Sequence, residues 1–378
     1  MEVVWVGLVF LTGLAVGSFL NVVVGRLPLE KSILWPNSRC LTCLRPLAFL
    51  DNLPVVGWLL RRGRCRWCGT AFSSRYLWVE LFCGLAFAAL FYAEVLRNWH
   101  GLPYFDEVRY RVYIGVVPWQ GWVFWLHHAL LFTFLLAASL CDWDHRTIPM
   151  PLTVTGTLVG LVGATLWAWP FPNDPALARA MPTEEKVRQG LERTSSWAFT
   201  EHPIPQGLYP WPVWGPLPDW LLDRPWALGL ITGLAGAAAG MAMIRVAKFL
   251  FEKGLGKEAL GLGDADLMMM AGAFAGWQVV VVSFFTGAMV SLAAVIVSLP
   301  FGGKKAIQEE GRAIPFGPGL AVGTMITLLA WPRLAPVLRL YLFEETVVLV
   351  SVFLMTGGMF VASFVLRVTG FGAPAEKT

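Results

Sequence analysis

Apolar runs of roughly twenty residues recur along this chain, and nothing else constrains its fold as much. A run of ~18 or more residues with few charges marks a membrane-spanning helix. A closed β-barrel would instead need ~10-residue alternating segments, which the sequence lacks. With 56% hydrophobic and only 14% charged residues, a single soluble core is excluded. The chain reads as an all-α polytopic membrane protein with about 8–9 transmembrane helices.

The first span covers residues 3–24, with no basic n-region or cleavage site before it, and is read as retained. The loop over residues 25–75 carries nine Lys/Arg against two acids, Glu30 and Asp51. Positive charge marks cytoplasmic loops, so this loop is expected inside the cell. Further spans follow at residues 76–96, 121–141, 150–169 and 226–250. The stretch 267–299 is long enough for two short spans with a turn near Trp277–Gln278. A span from 315 to 331 and a last one from 346 to 366 complete the count. The core therefore divides into 76–170 and 225–331. Between them lies an extracytoplasmic insertion, 171–224, rich in Pro and Trp, with one short helix expected over 183–195. Residues 332–378 add an extra span and tail. Nothing indicates a nucleic-acid partner, because basic loops beside membranes are common.

Four of the six cysteines fall in the basic loop, as Cys40-x-x-Cys43 and Cys65-x-x-Cys68. In a reducing compartment such pairs are metal ligands more often than disulfides. Four thiolates suit one tetrahedral Zn²⁺ and leave no open position for water, which points to a structural site. Arg61, Arg62, Arg64 and Arg66 favour the thiolates. The zinc-stapled loop could hold a substrate or a methyl donor, or be a purely structural knuckle.

Two acidic clusters stand at span ends. One is Asp142-Trp143-Asp144-His145; the other is Gly261-Leu262-Gly263-Asp264, followed by Asp266. Span count and charge bias both put Asp142 and Asp264 on the cytoplasmic face. Two carboxylates held close do not both ionise easily, so one keeps a proton and the pair can hydrolyse a peptide by acid–base catalysis. Gly261 and Gly263 would allow close backbone approach and hold Asp264 at the mouth of the next helix. Asp is also a good helix N-cap, and Asp144 and Asp264 both stand where a helix could begin.

These segments together resemble the bipartite signature of the type IV prepilin peptidases, aspartyl proteases of the G-x-G-D type. The likeness extends to Gly17-Ser18-Phe19-Leu20-Asn21-Val22 with Arg26-Leu27-Pro28, and to Asp51-Asn52-Leu53-Pro54-Val55 between the Cys pairs. It also takes in Tyr76 with Glu80, and Pro315-Phe316-Gly317-Pro318. It implies that Asp142 and Asp264 are catalytic and that Asp144 and Asp266 tune them. It implies cleavage of the basic leader of prepilins or pseudopilins at the cytoplasmic face of the bacterial inner membrane. The intact cysteines go with family members that also N-methylate the product, using S-adenosylmethionine. The chain departs from the family pattern at Met150, where Asp is common, and at Asp266, where Lys is usual.

Rival readings are a general intramembrane G-x-G-D protease, and a transporter or assembly-platform protein whose acids bind cations or partners. His127 and His128 are expected to make interface contacts near the outer face. Glu80 is expected either to reach the active site or to pair with Arg75. Cys83 and Cys141 are expected to be ordinary buried thiols.

Overall fold

A computed structural model describes residues 2–100, 114–166, 220, 224–255, 261–298, 316–343, 349–354, 356–358 and 361. The acids of the 97–120 loop (Asp106 and Glu107), the short helix expected within the insertion, the charged loop before Pro315 and the tail lie outside the described residues. Helices dominate, with no strand among the described residues. Five of the described helices are long and apolar enough to cross a membrane.

The chain divides into two compact units, Met1–Leu152 and Thr153–Thr378. In the first, α1 (Glu2–Arg26) runs antiparallel to α3 (Arg75–Phe91), with the short α2 (Val56–Leu60) in the loop between them. The α1–α3 contact depends on small residues. A methyl added to Gly13 would lie 2.8 Å from the Cys83 carbonyl oxygen, and one on Gly17 would lie 2.7 Å from the Glu80 Cα. Close backbone approach of this kind is how apolar helices pack in lipid. The next helix, α4 (Trp119–His145), crosses α3 through interlocked Phe87, Phe91, Trp122 and Trp125 rings, with centroids 5.1 to 5.9 Å apart. Trp125 Nε1 also donates to the Phe87 carbonyl at 3.2 Å.

Helix α4 stops because Arg146 turns left-handed, φ 56°, and donates its N–H to the Asp142 carbonyl at 3.0 Å. Pro149 then opens α5 (Met150–Leu166), the expected break and restart. The second unit adds α6 (Pro225–Leu255), α7 (Leu262–Ser298) and α8 (Phe316–Phe343). Helix α7 breaks at Gly276 (φ 80°, ψ 169°), one residue before the expected turn. Helix α6 packs on the first half of α7 through facing glycines. A methyl on Gly236 would run into the Gly272 carbonyl oxygen, and one on Gly272 into that of Gly236. The second half of α7 meets α8 through Gly287, Gly319 and Gly323 in the same way. Helix α8 outlasts the expected end at Trp331 and continues through Pro332 to Phe343. An in-helix proline removes one hydrogen bond, a loss that packing can absorb.

Candidate functional site

The cysteine loop folds as two copies of one knuckle. In each, the first Cys accepts a backbone bond from the residue four on: Leu44 N–H to Cys40 at 2.9 Å, Gly69 N–H to Cys65 at 3.1 Å. In each, the first Cys also donates to the residue five on: Cys40 to Arg45 at 3.0 Å, Cys65 to Thr70 at 2.8 Å. Antiparallel bridges Arg39–Pro46 and Arg64–Ala71 close the two turns. Leu44 and Gly69 take the positive φ (58° and 72°) that lets each turn close.

The knuckles bring all four thiols together, with ligand atoms within 4.8 Å of one another. Cys40 Sγ lies 3.7 Å from Cys68 Sγ, and Cys43 Sγ 3.9 Å from Cys65 Sγ. Four sulfurs at ~2.3 Å around a tetrahedral ion would stand about 3.8 Å apart. The thiols are unbonded to one another and fit a metal ion. Their acidities differ. Thr70, through hydroxyl and backbone, holds Cys68 down to about 6. The Arg45 backbone N–H favours the Cys43 thiolate, but burial and the neighbouring thiols push Cys43 up to about 11.

Beside the knuckles, a cavity of about 270 Å³ lies between the loop, α1 and α3. Five arginines line it (Arg26, Arg39, Arg61, Arg64 and Arg66), with Asp51, Glu80 and the Trp58 ring. Arg61 Nε lies 2.5 Å from Asp51 Oδ1. Glu80 is buried and accepts the Val55 N–H at 2.6 Å. It does not pair with Arg75, whose partner is Asp144, contrary to one of the two sequence expectations. Its role is to hold Val55, at φ 62° and ψ −52°, in a γ-turn in which the Val56 N–H bonds the Pro54 carbonyl at 2.6 Å. A β-branched residue there is strained. Sequence reading did not find this turn, because only the N–H acceptor on α3 makes it tenable.

In the first unit, Asp142 is 9% exposed in the last turn of α4. Arg75 Nη1 lies 2.7 and 2.6 Å from the two oxygens of Asp144. Asp144 thus sits in a helix end, not at a helix start, so it is no N-cap. In the second unit, Asp264 is 9% exposed in the first turn of α7. A methyl on Gly261 would lie 3.4 Å from Asp264 Oδ2. Asp266, two residues on, is within reach of the Arg245 charge. Each D-x-D pair therefore has an arginine acting on its second acid.

His127 and His128 are buried, 3% and 1% exposed. His128 Nδ1 lies 2.7 Å from Glu94 Oε1, and His100 Nε2 lies 3.4 Å from the same atom. Cys83 and Cys141 are fully buried thiols, as expected.

Residues 11–94 match the family described as Bacterial Peptidase A24 N-terminal domain. A prepilin leader peptidase/N-methyltransferase of Myxococcus xanthus is 30% identical over 310 residues, covering 82% of this chain and 68% of that protein. Proteins of the same name from Stutzerimonas stutzeri and Pseudomonas aeruginosa are 28% and 27% identical, each covering 84% of this chain and 88% of the relative. No solved structure matches the chain.

Proposed function

Because the chain belongs to the prepilin leader peptidase/N-methyltransferase family, we propose that it cuts prepilin leaders with Asp142 and Asp264 and methylates the new N-terminus beside its cysteine loop. The observation that carries the catalytic assignment is the arrangement at the two D-x-D pairs. Asp144 is paired with Arg75, Asp266 feels the charge of Arg245, and the first acid of each pair stands at a helix end, nearly buried.

Helix polarity supports different roles for the two. A negative charge is favoured in the first turn of a helix and disfavoured in the last. Asp264, in the first turn of α7, is the ionised partner. Asp142, in the last turn of α4, keeps the proton. Asp264 takes a proton from water, whose oxygen adds to the scissile carbonyl. Asp142 gives its proton to the departing amine as the C–N bond breaks, and the shared proton then returns to it. The site faces the cytoplasm, where a basic leader is available to it. The apolar N-terminal helix of the prepilin packs among the spans of the inner membrane. Arg75 keeps Asp144 from adding uncompensated charge beside the pair.

The metal of the knuckle is zinc, in a structural role: four thiolates leave no open coordination position. The cavity's lining suits S-adenosylmethionine, with arginines for a carboxylate and the Trp58 ring for a purine. That compound supplies the methyl group. Asp51 and Glu80 keep negative charge near a cationic donor.

The test is a purified full-length enzyme given a prepilin and S-adenosylmethionine, with product mass recorded. Leader removal plus one methyl supports the reading. An uncut prepilin contradicts it.

A further inference from the structure

The part of the first unit that neither the peptidase nor the methyl-transfer reading uses is the cluster of Glu94, His100 and His128. Its residues come from three places. Glu94 lies in a π-helical turn, Tyr92–Leu96, that ends α3; His100 follows the turn; His128 lies within α4. π-turns are rare and often mark functional sites. His128 is fourteen residues from Asp142 on the same helix, about 21 Å along its axis. The cluster is thus remote from the Asp142 end of α4.

We propose that Glu94, His100 and His128 form a second metal site, for a divalent transition ion of the zinc class, distinct from the cysteine knuckle. Two imidazoles and one carboxylate form an established ligand set for such ions. Ligand atoms at about 2.0–2.1 Å from a tetrahedral ion stand about 3.3 Å apart. Here one ligand atom from each residue lies within 4.8 Å of the others, and the two separations to Glu94 Oε1 are 2.7 and 3.4 Å. The shorter is a hydrogen-bond distance, and an ion would open it by about 0.6 Å to reach that spacing.

Burial argues for a cation. The side chains of Glu94, His128 and His100 are 0%, 1% and 4% exposed. Glu94 Oε2 is buried with no hydrogen-bond partner among the described residues. A carboxylate at this depth is costly unless a cation compensates it. Aromatic rings pack on the cluster, and the His127 ring stands 5.7 Å from that of His128. The Phe124 ring stands edge-on to both imidazoles, with centroids 5.6 Å from His100 and 4.7 Å from His128. Such a shell excludes water and holds the rings in place. An ion here would clamp the end of α3, and the segment that follows, onto α4. The alternative occupant is a proton, which would make the cluster a hydrogen-bonded ion pair and no more.

The experiment measures zinc in the purified full-length protein by elemental analysis, with the zinc-edge X-ray absorption of the same sample. If both sites fill, wild type carries about two zinc ions per chain and its average first shell mixes sulfur with nitrogen and oxygen. Glu94→Gln and His100→Gln each lose half the zinc and leave an all-sulfur shell. Cys65→Ser with Cys68→Ser loses the other half and leaves nitrogen and oxygen. An all-sulfur shell in wild type overturns the proposal without any variant, even if the variants do not fold. So does a folded, monodisperse Glu94→Gln protein with wild-type zinc content.

Discussion

Arg75 reaches across from the start of α3 to hold both carboxylate oxygens of Asp144, at 2.7 and 2.6 Å, in the last turn of α4. The pair is partly exposed, so it adds at most about 1 kcal/mol to stability. Its consequence is electrostatic. Asp144 sits two residues from Asp142 at the helix end where negative charge is least welcome. Arg75→Ala is therefore expected to fold normally but to cleave more slowly, by roughly fivefold for a coupling of about 1 kcal/mol. Asp144→Asn in the same chain should restore the rate. Steady-state cleavage across the four-protein cycle checks this, and additive losses would contradict it.

Glu80 and Val55 make a second coupled pair. Glu80→Ala strips the acceptor from a partly buried N–H and should cost about 1 kcal/mol. Val55→Gly removes the steric cost of a positive φ, worth about 1–3 kcal/mol, and should be neutral or stabilising. Thermal denaturation of both variants tests the sign. A destabilised Val55→Gly would mean that the turn is not strained.

The glycine contacts give a packing prediction with an internal control. Gly272→Ala would push a methyl into the Gly236 carbonyl oxygen, against backbone that cannot yield. Overpacking of this kind costs about 1–3 kcal/mol. Gly7→Ala and Gly25→Ala meet nothing within 4 Å and should be silent. Equal melting temperatures for Gly272→Ala and Gly25→Ala would contradict the α6–α7 contact.

Much of this was legible in the sequence for definite physical reasons. A twenty-residue apolar run has few alternatives to a span, and Pro149 falls where a helix ends and the next begins. Paired C-x-x-C turns have one common geometry, so the thiol cluster followed from spacing. Long-range partners had no such signal. Glu94, His100 and His128 come together through a π-turn and a crossing of helices, neither of which leaves a periodicity. The Arg75–Asp144 pair spans 69 residues of chain. Helix α8 runs past Trp331 because Pro332, a helix breaker by propensity, is tolerated within it.

In the metal-free loop the thiols should react in order of acidity. Cys68, held at about 6, gains thiolate as pH rises through that value, so it is mostly nucleophilic at neutral pH. Cys43, at about 11, stays protonated until strongly alkaline pH. After chelation, iodoacetamide at pH 7 should label Cys68 first and Cys43 late, as read by peptide mass mapping. Chelation should also abolish methyl transfer before cleavage, because the cavity borders the knuckles. Early labelling of Cys43 would contradict the assigned acidities.

The most direct test of the central claim is prepilin cleavage by Asp142→Asn, by Asp264→Asn and by the double variant, each confirmed as folded by its melting transition. Residues acting as one catalytic unit lose activity non-additively. Each single variant should therefore be as inactive as the double, while methylation of a pre-cut pilin persists in all three. Normal cleavage by either single variant would show that the aspartates are not the catalytic pair.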